Sequence, residues 1–353
     1  MNPTRCLINL SLLKAREQET GYSTKGIRHL LGAPGGGLTL PFTRRQFVQD
    51  LPRVQQGMSI SGYQPKLSLR RVDGEFNVVN NDGTYILKPS PEAYPGLAEN
   101  EHATMCVMQR LKFPVPPFGL LRFLREEHQP DELAFIIRRY DRLGPESRRL
   151  HQEQLDGAMG IEDKYGHVAG RKAVSYEQAA RFLNAHVSRS LQGKRDVFLR
   201  IVYAYVLGNN DFHLRNLGIL HPQEGAASLA PVYDFISVVP YPAAFGEYLA
   251  LPLLACEEND AGMAPGLDSA YGEYVGADFI LLAAGMGINP ALAGKWLAEV
   301  VGNHPLIVDT YTHSHMPQAQ REAVLAYVAR RMTLLGVTEL GASAVPAEDG
   351  PAR

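Results

Sequence analysis

The sequence predicts an α+β fold in two lobes: a small β-rich lobe over residues 1–140, a mainly helical lobe over 141–340, and a disordered tail at 341–353. Three observations carry this reading. Between Leu67 and Lys88 apolar and polar residues alternate, interrupted by the turn pairs Asp73-Gly74 and Asp82-Gly83, which describes three antiparallel strands. Farther on, apolar residues recur at helical spacing over 196–207, 275–286, 290–301 and 317–335, with breaks at Gly287-Ile-Asn-Pro and Gly302-Asn-His-Pro. A chain of 353 residues, 45% of them hydrophobic, can bury a full core and form two such units. The tail, Ala342 to Arg353, is rich in Ala, Pro, Glu and Asp.

Composition excludes several classes. With 35 basic and 37 acidic side chains the formal charge is −2, so no bulk basic field points to direct nucleic-acid binding. The three cysteines, Cys6, Cys106 and Cys256, fit no metal-ligand spacing and read as small buried hydrophobes in a reducing compartment. No window reaches about 18 uninterrupted apolar residues, and the N-terminus lacks a signal-peptide pattern. Neither a membrane span nor secretion is expected, which places the chain in the cytoplasm.

In chain order, Cys6 to Leu12 reads as a short strand, Gly21 to Gly32 as a short helix, and 33–38 as a loop; Thr43 caps a helix over Arg44 to Leu51 that Pro52 stops. Next comes a small, serine-bearing loop, Ser59-Ile-Ser-Gly-Tyr-Gln-Pro-Lys66, ahead of the three strands, with Lys88 closing the third. A glycine-bearing loop over nucleotide phosphates and a lysine on the third strand are what a kinase amino-terminal lobe provides; a lysine that guards a sheet edge is the alternative. The helix that follows has Leu97, Thr104, Met105, Met108 and Leu111 on one face, with Glu101 inside that stripe and Glu99 turned toward solvent. A carboxylate buried without a partner would cost several kcal/mol, so Lys88 on the adjoining strand is its natural counter-ion. Phe135 to Arg142 is another apolar strand ending in charge, and Glu153 and Asp156 are candidate partners for Arg138 and Arg139. The Asp163-Lys164-Tyr165 charges carry no assignable role, and His313 and His315 read as surface residues.

The chemistry concentrates at Gly208-Asn-Asn-Asp-Phe-His-Leu-Arg-Asn216, after a buried helix. Asp211 and Asn216 have the D-x-x-x-x-N spacing of a kinase catalytic loop, where the aspartate receives the acceptor hydroxyl's proton and the asparagine ligates a metal ion. Ordinary turn chemistry is the competing reading of this loop. Two short strands then lead to Asp234, and such a hairpin would return Asp234 beside Asn216 to offer two oxygens to one magnesium ion.

Taken together, Ser59 to Lys66, Leu87-Lys-Pro89, Glu99-Asn-Glu101, Arg138-Arg-Tyr-Asp-Arg142, Asn210 to Asn216 and Val232-Tyr-Asp-Phe-Ile-Ser237 resemble the HipA-like serine/threonine kinase toxins, from about residue 55 to the last helices. The chain looks most similar to the short HipT branch, in which a separate HipS protein supplies an amino-terminal subdomain and HipB binds DNA. The resemblance implies a protein-kinase-like, HipA-type fold that uses ATP and magnesium. It makes Asp211 the catalytic aspartate, supported by Lys88 and Glu101, and Asn216 and Asp234 the metal ligands. Ser61, Gly62, Tyr63, Gln64, Lys66, Lys88, Arg138, Arg139, Tyr140, His213 and Asp234 would line the nucleotide. It further implies autophosphorylation at Ser59 and Ser61, HipS-like and HipB-like partners, and an aminoacyl-tRNA synthetase as substrate, tryptophanyl-tRNA synthetase on the HipT branch. A phosphoserine in the loop would add about −2 charge beside ATP and so oppose its binding. Three alternatives stand beside this: a metal-dependent phosphoesterase built on Asp211, His213 and Asp234, a non-catalytic kinase-fold regulator, and a small-molecule phosphotransferase.

Overall fold

The computed structural model of the protein describes residues 4–33, 35, 37–49, 65–125, 132–144, 148–187, 189–241 and 248–340. The amino-terminal lobe is built on five antiparallel strands, β1 (Leu67–Val72), β2 (Glu75–Val78), β3 (Tyr85–Pro89), β4 (Phe118–Arg122) and β5 (Leu133–Arg138), ordered β2-β1-β3-β5-β4. The β1–β2 hairpin turns on Asp73 and Gly74, with φ of 51° and 88°, the doubly positive geometry that matches the strand twist. Alternation in β1 buries Leu67 and Leu69 while Arg70 is exposed. β3 sits in the middle, so both its faces are covered and Lys88 is only 3% exposed.

The helix Leu97–Arg110 packs across β3, β4 and β5. Its apolar stripe faces the sheet, and the helical lobe covers much of the opposite side, so Leu97, Ala98 and residues 100–108 are all buried. Glu99 is half-buried rather than solvent-facing: the Ser90 hydroxyl donates to it at 3.4 Å, and burial pushes its carboxyl up from the ordinary range.

The run Cys6 to Leu12 is not a strand. Leu10 adopts φ 58°, which turns the chain back so that Arg5 pairs with Leu12 and the Cys6 N–H reaches the Ser11 carbonyl at 2.8 Å. The resulting loop lies along β4, where Leu120 N–H donates to Leu7 O at 2.8 Å and buries Cys6, Leu7 and Ile8. Helices Thr24–Leu31 and Arg44–Gln49 start where their caps direct: Ser23 accepts from Gly26 N–H, and Thr43 and Gln46 exchange hydrogen bonds of 3.2 and 2.8 Å. Cys6 and Cys106 are buried as expected, whereas Cys256 is exposed because the short helical turn carrying it lies on the surface.

The second lobe surrounds the helix Leu191–Leu207, which is buried on every side from Val197 onward. Around it stand Tyr176–His186, Gly276–Gly285, Pro290–Gly302, His304–Thr312 and Gln318–Leu335. The helix His304–Thr312 occupies what reads in sequence as a break. Pro305 lies in its first turn, where no intrahelical N–H is needed, so the proline opens a helix rather than preventing one. This helix joins the lobes through Arg110–Asp309 at 2.7 Å and Thr104–Tyr311 at 3.0 Å. A three-stranded sheet, with Gly218–His221 between His151–Gln154 and Ser228–Leu229, carries the chain from the Asp211 loop toward Asp234. Among the described residues no helix is long and apolar enough to cross a membrane.

Candidate active site

The Leu191–Leu207 helix stops at Gly208, whose φ of 67° and close approach to the Val239 side chain leave no room for a Cβ. The loop that follows is folded by Asn216, whose amide oxygen accepts the His213 N–H at 3.0 Å while its own N–H returns to His213 O at 2.9 Å. Beneath it, the buried Tyr176 hydroxyl donates to Phe212 O, and the Tyr176 ring stacks on Phe212. These contacts leave the Asp211 side chain 27% exposed at the surface of the loop.

Asp211 is held by residues for which the sequence suggested no role. Tyr165 Oη donates to Asp211 Oδ1 at 2.8 Å, and Lys164 Nζ stands 3.7 Å from the same oxygen. His213 Nε2 is 3.8 Å away, and burial pushes its imidazole below the ordinary range, so the ring is neutral near pH 7. Its Nδ1 is buried without a hydrogen-bond partner.

Across from this loop, Lys88 Nζ contacts Glu101 Oε1 at 2.6 Å and also the Asp234 carboxylate, which Lys66 approaches at 3.7 Å. The expected pairing of Lys88 with Glu101 is therefore present, with Asp234 as a third member. Burial alone would discharge Lys88, but the two carboxylates reverse that and hold its ammonium above the usual lysine range. Burial likewise opposes the Asp234 charge, and Lys88 and Lys66 outweigh it, holding that carboxyl well below the usual range. Asp234 has φ 51°, unusual for a side-chain-bearing residue. Next to it, Ser237 is locked to the Glu101 helix: Asn100 donates to Ser237 O at 2.7 Å and accepts its N–H at 3.1 Å. Asn100 is entirely buried, and nothing in its local sequence announces this contact.

The other expected site residues are placed as follows. The N–H groups of Arg138 and Arg139 are bound to Pro117 O and Thr84 O, because the sheet continues through them. Arg139 pairs with Asp141 through two contacts of 2.9 and 2.7 Å, not with Glu153 or Asp156. Those two meet His221 and Arg215 instead. Tyr140 packs its ring 5.4 Å from that of Tyr233, the neighbour of Asp234. His315 is half-buried, with Nε2 3.3 Å from Cys6 O, because the amino-terminal loop covers it. Ser59, Ser61, Gly62, Tyr63 and Gln64 lie outside the described residues.

This arrangement agrees with what similarity to other proteins indicates. The model of the HipA-like C-terminal domain matches residues 58–305, which is most of the chain. The chain belongs to that family. Several relatives carry the name "Putative kinase". The one from Haemophilus influenzae is 46% identical over 336 residues, covering 94% of this chain and 97% of its own length. Y4mE from Sinorhizobium fredii is 30% identical over 198 residues, covering 53% of this chain and 44% of its own. Among solved structures, HipA of Shewanella oneidensis, determined as a toxin–antitoxin complex with HipB and operator DNA, superposes with a TM-score of 0.63 at 20% identity. The match covers 92% of this chain and 81% of HipA, so the two share a fold. The two-lobed, HipA-type architecture expected from the sequence is the one observed.

Proposed function

We propose that this HipA-like chain is an ATP-dependent protein serine/threonine kinase acting as the toxin of a toxin–antitoxin system. The observation that carries the reading is that the His213 ring lies within electrostatic reach of two carboxylate sites: Asp211, partly exposed on a loop, and Asp234, gripped by Lys88 and Lys66, with Glu101 behind Lys88. Phosphoryl transfer needs a base for the acceptor hydroxyl and a concentration of positive charge for the phosphates, and the two sites supply one each. In this reading Asp211 takes the acceptor's proton, Lys88 and Lys66 contact the phosphates, and Glu101 keeps Lys88 extended. Loop residues Ser61 to Gln64, with Tyr140 and His213, border the nucleotide.

Magnesium fits the donor set. Asp234 retains 35% of its side chain exposed, and Asn216 Oδ1 uses one lone pair on the His213 N–H and keeps another. One carboxylate and one amide oxygen, completed by phosphate and water, suit a hard cation that seldom takes an all-protein cage. When bound, the ion would neutralise charge on the phosphates; Asp234 and Asn216 would hold it.

The partners would be a HipB-like DNA-binding antitoxin, a reading supported by the HipB complex of the HipA neighbour, and a HipS-like small protein as on the HipT branch. The substrate would be an aminoacyl-tRNA synthetase, tryptophanyl-tRNA synthetase first, whose phosphorylation would halt translation in the cytoplasm. Autophosphorylation at Ser59 or Ser61 would regulate the enzyme.

Intact mass after incubation with Mg-ATP tests the core of this reading. One or two added phosphates mapping to Ser59 or Ser61, absent from Asp211→Gln, are expected. A protein that binds ATP yet transfers phosphate neither to itself nor to the synthetase would sink it in favour of the non-catalytic regulator.

A further inference from the structure

Residues 163–167 precede Asp211 by more than forty positions and still form part of its surroundings. The turn is built from within: Asp163 Oδ1 accepts the Tyr165 N–H at 2.8 Å and lies 2.9 Å from His167 Nδ1. Gly166 closes it at φ 72°, where a Cβ would come within 2.7 Å of Val174. The turn is fastened to the catalytic loop by Leu214 N–H, which donates to Lys164 O at 3.0 Å. Tyr165 and Lys164 thus present their polar ends to one atom, Asp211 Oδ1, at 2.8 and 3.7 Å. The Lys164 ammonium also lies 4.7 Å over the Tyr165 ring, and His213 meets that ring edge-on at 5.5 Å.

Among the described residues, the other Lys and Arg side chains of the site contact groups other than Asp211. Arg215, within the catalytic loop, binds Asp156 at 2.6 Å and Glu162 O at 3.2 Å. Lys88 and Lys66 are drawn to Asp234. Among the described residues, Lys164 is the only Lys or Arg within 4 Å of Asp211.

We propose that Tyr165 is a positioning residue for the proton-accepting carboxylate and that Lys164 is the cation that meets the transferring phosphoryl group beside it. The proposal rests on the kinase reading above. With Oδ1 held by Tyr165, Oδ2 is the oxygen that receives the acceptor's proton. As the acceptor oxygen bonds to phosphorus, the bond from phosphorus to the leaving diphosphate oxygen breaks. The proton passes to Asp211, and the charge on the phosphoryl oxygens is balanced by Lys164. A lysine contributed from a distant turn supplies the charge that the catalytic loop itself lacks.

The test uses the full chain with Mg-ATP, reading phosphate incorporated into the protein itself and phosphate released to water, alongside calorimetric affinity for a non-hydrolysable ATP analogue. Tyr165→Phe should lower the rate at saturating ATP by about 10- to 100-fold, and Lys164→Met by about 100-fold or more. Both should leave analogue affinity within about threefold, since neither acts through ground-state binding. Lys164→Arg should recover at least about a tenth of the wild-type rate because it restores the charge. Rates within twofold of wild type for both Tyr165→Phe and Lys164→Met would overturn the proposal. So would a loss confined to analogue affinity, or a loss in Lys164→Met that Lys164→Arg does not relieve. A wild-type protein that transfers no phosphate to either acceptor is a separate result: it removes the kinase reading and this proposal with it.

Discussion

Two carboxylates of the candidate site, both charged neighbours of the His213 ring, are held in different ways. Asp234, itself 35% exposed, is tied to a buried pair, Lys88 at 3% and Glu101 at 1% exposed. Asp211 stands on a loop, 27% exposed, with Lys164 28% exposed beside it. In the first, the buried Lys88 and Glu101 depend on each other's charge for existing in the interior at all. In the second, water already solvates the charges, so the contacts set orientation more than stability. Deep charge clusters therefore couple chemistry to folding, whereas surface clusters leave the two separable.

That contrast can be broken experimentally. Lys88→Met leaves the buried Glu101 without its contacting cation and should cost about 3–5 kcal/mol of unfolding free energy in denaturant titrations. Lys164→Met, in the exposed cluster, should cost no more than about 1 kcal/mol. Similar losses from the two would erase the distinction.

A second measurement concerns His102, a buried neutral group on the same helix as Glu101. Burial depresses its pKa to about 3; one nitrogen contacts Ile8 O at 2.9 Å, with His315, Cys106 and Phe118 packed around the ring. Below pH 6.5 the unfolded chain binds a proton that the folded chain refuses, so this stability is present above 6.5 and is lost as pH falls toward 3. The wild type should lose up to about 1.4 kcal/mol per pH unit more than His102→Gln across that window. Parallel stability curves for the two proteins would contradict it.

The smallest effect of the three belongs to Asn100. Asn100→Ala removes both hydrogen bonds to Ser237 and should cost about 1–3 kcal/mol. Because this clamp sets the chain three residues beyond Asp234, phosphate-transfer rate should fall further than Lys164→Met-like surface changes in stability would explain. Full activity in a destabilised Asn100→Ala would make the clamp purely structural.

Much of this was legible from local pattern. Strand alternation from Leu67 to Lys88 and the stripe from Leu97 to Leu111 orient Lys88 and Glu101 toward a shared interior, and a charge in that stripe demands a partner. The break at Gly208 and the five-residue spacing from Asp211 to Asn216 are likewise properties of a few consecutive residues. Local reading went astray where a neighbour from far along the chain decided: the Cys6 to Leu12 run turned back to cover β4, and the proline at 305 opened a helix that docks on Arg110. It also had Arg139 wrongly partnered, because Asp141 two residues away was closer than either acid farther on.

By itself, then, the sequence determined the strands from Leu67 to Lys88, the longer helices and most of the faces they bury, since these follow from periodicity and steric preference over a few residues. Only the tertiary structure decided that Tyr165 and Lys164 meet Asp211, that Lys66 joins Lys88 at Asp234, and that Asn100 grips Ser237 across 137 positions. Periodicity dictates where a side chain points, but which distant group it finds there depends on how whole elements pack, and that is written in no single stretch of the chain.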